Sequence, residues 1–144
     1  MGNRAVISMA CEGIPKEYSP SIYVHWNGGR NSVESFLETA KRLKVRPEET
    51  YGMARLCQII GNFFGGTLSL GMGAYCQLDT DNYDNGVYWI NSKFEIIDRE
   101  HNEHGEQTSP PEVMLDNINH IIACNPQFNK GYSEWVKWVG SITN

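Results

Sequence analysis

The chain has 144 residues, of which 40% are hydrophobic, 20% charged and 11% aromatic, and its formal net charge at pH 7 is -5. This length and composition predict one globular domain over residues 1–144 and exclude a disordered chain. The negative charge disfavours direct DNA binding and attachment to an anionic membrane surface, because both need a positive surface.

Three further features bear on the cellular setting and on metal binding. The longest apolar stretch, LCQIIGNFFGG, is interrupted by Gln58 and Asn62 and is too short to span a bilayer. The first ten residues lack the basic and then apolar layout of a secretory signal. The four cysteines are widely spaced and form no CxxC pair, so the sequence indicates neither a zinc motif nor a dithiol. We expect a cytoplasmic protein without a metal or cofactor.

The first half of the chain predicts two strands followed by two helices. Residues 4–9 and 21–26 are rich in β-branched and aromatic residues and predict two paired strands. Helical spacing of apolar residues begins at Val33, and Asn31 with Glu34 resembles a capping box. A second helix is expected over 50–64, ending at the two glycines 65 and 66.

The second half predicts short antiparallel strands and then helix. The segments TLSLGM, YCQL, GVYWI and KFEIID alternate with turn signals. Residues 99–111 predict a flexible loop, and residues 112–144 a helical tail. In that tail Trp135 and Trp138 are candidates for a subunit interface. The fold class expected is therefore α+β, with a largely antiparallel sheet, two consecutive central helices and a helical C-terminal tail.

The segment HWNGGRNS, residues 25–32, lies between a predicted strand and a predicted helix. Gly28 and Gly29 would let a ligand approach the main chain, and the helix start offers unpaired N–H groups. Arg30 adds a guanidinium group, whose paired N–H donors suit phosphate oxygens. The segment is not a Walker loop, and taken alone it is better explained by a simple turn with nothing bound.

The segment DTDNYDNG, residues 79–86, allows three interpretations. Its aspartates do not fall at the positions of a calcium-binding loop, whereas Asn85–Gly86 is a strong signal for a hairpin turn. Alternatively, Asn82 and Asp84 hydrogen-bond ribose hydroxyls or a base edge. The four histidines have no acid or nucleophile at an informative spacing, so the sequence nominates no catalytic residue.

Three blocks together resemble one family: NRAVI with YVHWNGGRNSVESFL, YGMARLCQIIGNFFGG, and LDTDNYDNGVYWI. They are similar to the phage-encoded Thoeris anti-defence sponge family, over roughly the first hundred residues. The resemblance implies an oligomeric α+β protein of infected bacterial cells that binds cyclic ADP-ribose isomers without cleaving them. It also implies that some members bind cyclic di- or trinucleotides in separate pockets, and that sites form between subunits.

The same resemblance implies roles for particular residues. Trp26 would lie beside the ligand, Asn82 and Asp84 would hydrogen-bond ribose or base, and Arg99, after the FEIID strand, would stack on adenine or meet phosphate. Arg55, with Ala54, would face the cyclic-dinucleotide pocket. Where the family pattern suggests an aromatic against adenine, this chain has Met72, followed by Tyr75, so we expect stacking there to be weaker or in a different register.

Two other functions fit the residues. A phosphodiesterase that degrades such signals would use His25 or His101 as general acid or base. An acidic nucleic-acid mimic that inhibits a defence nuclease would present its carboxylates as phosphates. The carboxylates available for that role are Asp79, Asp81, Asp84, Glu95 and Asp98.

Overall fold

The structure, a computed structural model, describes residues 2–66, 69–106, 110–126 and 128. Five strands and three α-helices make up the described chain. The strands are β1 (Ala5–Met9), β2 (Pro20–Val24), β3 (Leu70–Ala74), β4 (Val87–Ile90) and β5 (Ile96–Glu100). The helices are α1 (Arg30–Arg42), α2 (Glu49–Phe64) and α3 (Pro111–Ala123).

The strands form one mixed sheet in the order β3-β2-β1-β4-β5. Three of its strand pairs are antiparallel, and the central pair of β1 with β4 is parallel. The expected α+β fold with a largely antiparallel sheet is therefore confirmed, as is the pairing of the first two strands. The segment YCQ was expected to be a strand, but Tyr75–Gln77 forms a 3-10 turn instead.

Alternation along β1 separates two apolar layers. Ala5, Ile7 and Met9 belong to the main core, which also contains buried residues of α1 and α2. Val6 lies in a smaller cluster with Val87 and Trp89 of β4. Successive side chains of a strand point to opposite faces, so β1 is buried on both sides, with all five residues buried.

The helix boundaries confirm one prediction and correct another. The second helix ends where expected, with Gly65 in the left-handed conformation at φ 65°, which glycine adopts without a steric penalty. The first helix begins at Arg30 with Gly29 as its N-cap, so the expected capping box is wrong. Asn31 is already helical, and Glu34 accepts a hydrogen bond from Arg30 Nε at 2.7 Å.

The C-terminal part was anticipated in outline. Strand β5 continues through Glu100, so Arg99 lies within a strand and not after it. Helix α3 covers the beginning of the expected helical tail. Residues 129–144, including Trp135 and Trp138, lie outside the described residues, as do 107–109. No helix of the described chain is long and apolar enough to span a membrane.

Candidate functional site

The candidate site lies at the N-terminal end of α1, where Arg30 and Arg99 converge on one carboxylate. Arg30 Nη1 donates to Glu106 Oε1 at 3.3 Å, and Arg99 Nη1 donates to the same oxygen. We call these three residues the arginine cluster. Its guanidinium groups come from α1 and β5, and its carboxylate comes from the segment after β5. Two positive charges share one negative charge there, although Arg30 also pairs with Glu34.

Arg99 is fixed by the strands around it. Its Nε donates to the carbonyl of Val87 at 3.0 Å, and Nη2 donates to the carbonyl of Asn85. The guanidinium carbon lies 3.6 Å from the centre of the Tyr88 ring, a cation–π geometry. The Arg99 side chain is only 11% exposed. Burial lowers the pKa of Arg99 from its usual value, and the nearby charge of Arg30 contributes in the same direction.

Tyr88 connects the arginine cluster to the segment before α1. Its hydroxyl donates to the carbonyl of Gly28 at 2.7 Å. The ring is fully buried, and burial raises the pKa of Tyr88, against the opposing effect of Arg99. The hydroxyl therefore remains a hydrogen-bond donor at neutral pH and holds the start of α1 against β4.

Gly28 is required for close packing. A Cβ at this position would lie 2.5 Å from the carbonyl oxygen of Asn3 and 2.8 Å from the Cβ of Ala5. The Gly28 N–H donates to that Asn3 oxygen at 2.8 Å. Its carbonyl is taken by Tyr88. Both polar groups of Gly28 are thus engaged within the chain, and the expected approach of a ligand to its main chain does not explain the glycine.

Asn82 organises the 79–86 loop from inside. The side chain is 1% exposed. Its Nδ2 donates to the carbonyls of Asp79 at 3.0 Å and Gly86 at 3.2 Å. Its Oδ1 accepts from the N–H groups of Asp84 at 3.2 Å and Gly86 at 3.0 Å. The amide is therefore satisfied by the loop itself and does not face a ligand in this conformation.

Asp84 is likewise engaged within the chain. Its Oδ2 accepts from Arg4 Nε at 2.7 Å and from the Arg4 N–H at 2.9 Å. The hydrogen bond from the Arg4 side chain lowers the pKa of Asp84. Gly86 has φ 65°, as the Asn85–Gly86 signal predicts, but the segment is not a hairpin. It leads from the 3-10 turn into β4, which pairs with β1 and β5.

The other expected site residues lie on different surfaces. Trp26 is 47% exposed and meets the His25 ring edge-on, with centroids 5.2 Å apart. Met72 is 52% exposed on β3, an outer strand of the sheet. Arg55 is exposed on α2 and donates to Gln58 at 2.9 Å. Within the described residues of one chain, no hydrogen bond or ring contact joins these three to the arginine cluster.

A cavity of about 480 Å³ adjoins the arginine cluster, between α1, α3 and the β4–β5 connection. Its volume falls in the ordinary range for small-molecule sites, about 300–1,000 Å³. Arg30 lies in its wall together with other charged residues of α1. The apolar side chains that line it are Leu37, Phe94, Ile96, Met114, Leu115 and Ile118.

Sequence reasoning missed two members of this arrangement. Glu106 stands in a polar segment without periodicity, so no pattern marks it. Tyr88 alternates with Val87 and Trp89, and this alternation could have indicated that it faces the helices.

Comparisons with protein-family models, with curated proteins and with solved structures found no match to this chain.

Proposed function

We propose that this chain binds cyclic ADP-ribose-type immune signalling nucleotides at the arginine cluster and sequesters them without cleaving them. The observation that carries the proposal is the convergence of Arg30 and Arg99 on a single acidic oxygen of Glu106. A diphosphate presents oxygens of the same charge and could take the place of that carboxylate. The resemblance to the Thoeris anti-defence sponge family supports the choice of nucleotide.

Three physical features favour a phosphate at this place. Guanidinium N–H groups form strong, charge-assisted hydrogen bonds with phosphate oxygens, and Arg30 and Arg99 each direct Nη1 to the same position. Arg30 is the first residue of α1, and the N-terminal end of a helix favours negative charge. Arg99 is mostly buried, so water screens its charge less than at an exposed site.

The neighbouring cavity provides room for the rest of such a ligand. Its apolar floor would contact a base, while its charged wall would meet ribose hydroxyls or phosphate. In this arrangement the Glu106 carboxylate of the free protein occupies the position between the two arginines that a ligand phosphate would take. We call this the anion position. Binding then exchanges one carboxylate for a more highly charged diphosphate.

The proposal extends to a second copy of the chain. Trp26 and Met72 are half exposed, and Arg55 is exposed on α2. One chain does not bring them to the arginine cluster. We propose that a homo-oligomer brings these residues to ligand sites formed between subunits, including one for cyclic di- or trinucleotides. The setting proposed is the cytoplasm of an infected bacterial cell.

A thermal-shift panel tests the proposal. Ligands that bind only the folded state raise the melting temperature, so cyclic ADP-ribose isomers should raise it while AMP at equal concentration should not. The complex is then heat-denatured and the released ligand is chromatographed. Intact ligand supports sequestration, whereas fragments would show a phosphodiesterase. No shift with any cyclic nucleotide, together with capture of a nuclease, would replace the proposal by the nucleic-acid mimic.

A further inference from the structure

A second cluster of ionisable side chains lies apart from the arginine cluster. Asp81, His101 and Glu103 each offer one donor atom, and these three atoms lie within 4.8 Å of one another. Asp81 belongs to the 79–86 loop, whereas His101 and Glu103 follow β5. We propose that these three side chains form a binding site for a divalent transition-metal ion of the zinc type.

The separation of one donor pair is close to that of two ligands on such an ion. His101 Nδ1 lies 3.7 Å from Asp81 Oδ1. Zinc bonds of about 2.0–2.2 Å in tetrahedral geometry place neighbouring donor atoms about 3.4 Å apart. A contraction of a few tenths of an ångström would bring this pair to that separation. Asp81 and Glu103 are exposed, so an ion can enter from solvent and water can complete its coordination.

The local charge also favours a cation. Asp81 and Glu103 bring two carboxylates together, and no lysine or arginine of the described residues pairs with either. At two other places in the chain an arginine lies between two carboxylates and offsets their repulsion. These groups are Asp79 with Arg4 and Asp84, and Glu34 with Arg30 and Glu106. At the Asp81 cluster a bound metal ion would take the position that the arginine occupies in those groups.

The donor types select among metals. An imidazole nitrogen with two carboxylates suits zinc and its transition-metal neighbours. Calcium and magnesium prefer sites made wholly of oxygen atoms. We therefore expect zinc to bind and magnesium not to bind at comparable concentration.

A metal ion here would connect two loops that are separated along the chain by strands β4 and β5. It would tie the 79–86 loop to residues 101–103, and so restrain the segment that carries Glu106. This linkage does not depend on nucleotide binding. Failure of the nucleotide proposal would leave it standing, because the probe is the metal alone.

Isothermal calorimetry with ZnCl₂ on EDTA-treated protein tests the site. The full chain should bind one zinc ion, and Asp81→Asn and Glu103→Gln should each weaken zinc binding at least tenfold. His101 has a left-handed backbone at φ 54°, which asparagine tolerates. His101→Asn should therefore lower zinc affinity while preserving the loop.

Two controls use neighbouring residues that the site does not include. His104→Ala removes a histidine three residues from His101, and Cys76→Ser removes the exposed thiol. Both variants should keep the zinc affinity of the parent chain. The proposal is overturned if zinc does not bind, if the three site variants bind it as the parent does, or if Cys76→Ser abolishes binding.

Discussion

The arginine cluster and the 79–86 loop both contain the residue types that read nucleotides, but they use them differently. In the loop, the Asn82 amide is surrounded by its own loop and bonded to it. In the arginine cluster, two guanidinium groups share one carboxylate carried by a separate segment. The difference lies in the partners: the Asn82 amide is bonded to the backbone of its own loop, whereas Nη1 of each arginine meets a side-chain carboxylate that a ligand anion could displace. On this account Asn82 is a structural residue, and Arg99 is a residue proposed to bind the ligand.

The largest expected effect is on stability, at Asn82. Asn82→Ala leaves the buried N–H of Gly86 and two or more carbonyls without their side-chain partner. Losing such a buried network costs about 2–4 kcal/mol. The free energy of unfolding measured in urea should fall by that amount. A loss of ligand affinity with unchanged stability would instead give Asn82 the ligand-reading role that the sequence suggested.

The next effect is on affinity, at Arg99. Arg99→Ala removes one of the two guanidinium groups of the arginine cluster, which costs about 2 kcal/mol of binding free energy, or a few tens of fold. Calorimetry with cyclic ADP-ribose measures this change, with circular dichroism to confirm the fold. Arg46→Ala is the matched control, because Arg46 is exposed and pairs with Glu48. Equal losses in both variants would show that overall charge, and not the site, governs binding.

Trp26 should have a smaller effect. Its ring is half exposed, and a base stacked on such a ring contributes about 1–3 kcal/mol. Trp26→Ala should weaken nucleotide binding by about fivefold or more, while the melting temperature of the free protein changes little. Tyr18→Ala is a matched control, since Tyr18 is exposed outside the arginine cluster. Unchanged affinity in Trp26→Ala would remove this residue from the site.

Glu106 should change affinity in the opposite direction. Glu106→Gln removes the negative charge that occupies the anion position, so a nucleotide no longer competes with it. Affinity for cyclic ADP-ribose should rise a few fold, by about 0.5–1 kcal/mol. Glu103→Gln, in zinc-free buffer, removes a charge from the same segment without touching either arginine. If Glu106→Gln weakens binding, the carboxylate contacts the ligand and is not its competitor.

The smallest effect is the acid dependence of stability at Asp84. Arg4 holds the pKa of Asp84 below its usual value of about 3.9. A carboxylate with a depressed folded-state pKa contributes stability above the unfolded pKa, and this contribution is lost as pH falls through the folded pKa. Urea unfolding from pH 5 down to pH 2 should therefore show a steeper decline for the parent chain than for Asp84→Asn. Parallel declines would show that the ion pair does not contribute.

More of the fold than of the candidate site could be predicted from the sequence. Apolar periodicity and glycine positions identified β1, β2 and α2, because these signals are local. The parallel pairing of β1 with β4 joins residues about eighty positions apart, and no local pattern specifies it. Within the site, Arg30 could be chosen from sequence by its chemistry, whereas Arg99 was chosen by the family resemblance. Glu106 could not, since its role depends only on where the segment after β5 lies. The Asn82 side chain was expected to point out of its loop toward a ligand, because the sequence does not show the direction of a side chain.

The most direct test of the account is a double-mutant cycle on Arg30 and Arg99, measured by calorimetry with cyclic ADP-ribose. If both guanidinium groups bind one phosphate group, Arg30→Ala and Arg99→Ala should each weaken binding at least tenfold. Their combination should then lose less than the sum of the two free-energy changes, because contacting groups are coupled. Parent-like affinity in both single variants would contradict the claim that the arginine cluster holds the nucleotide.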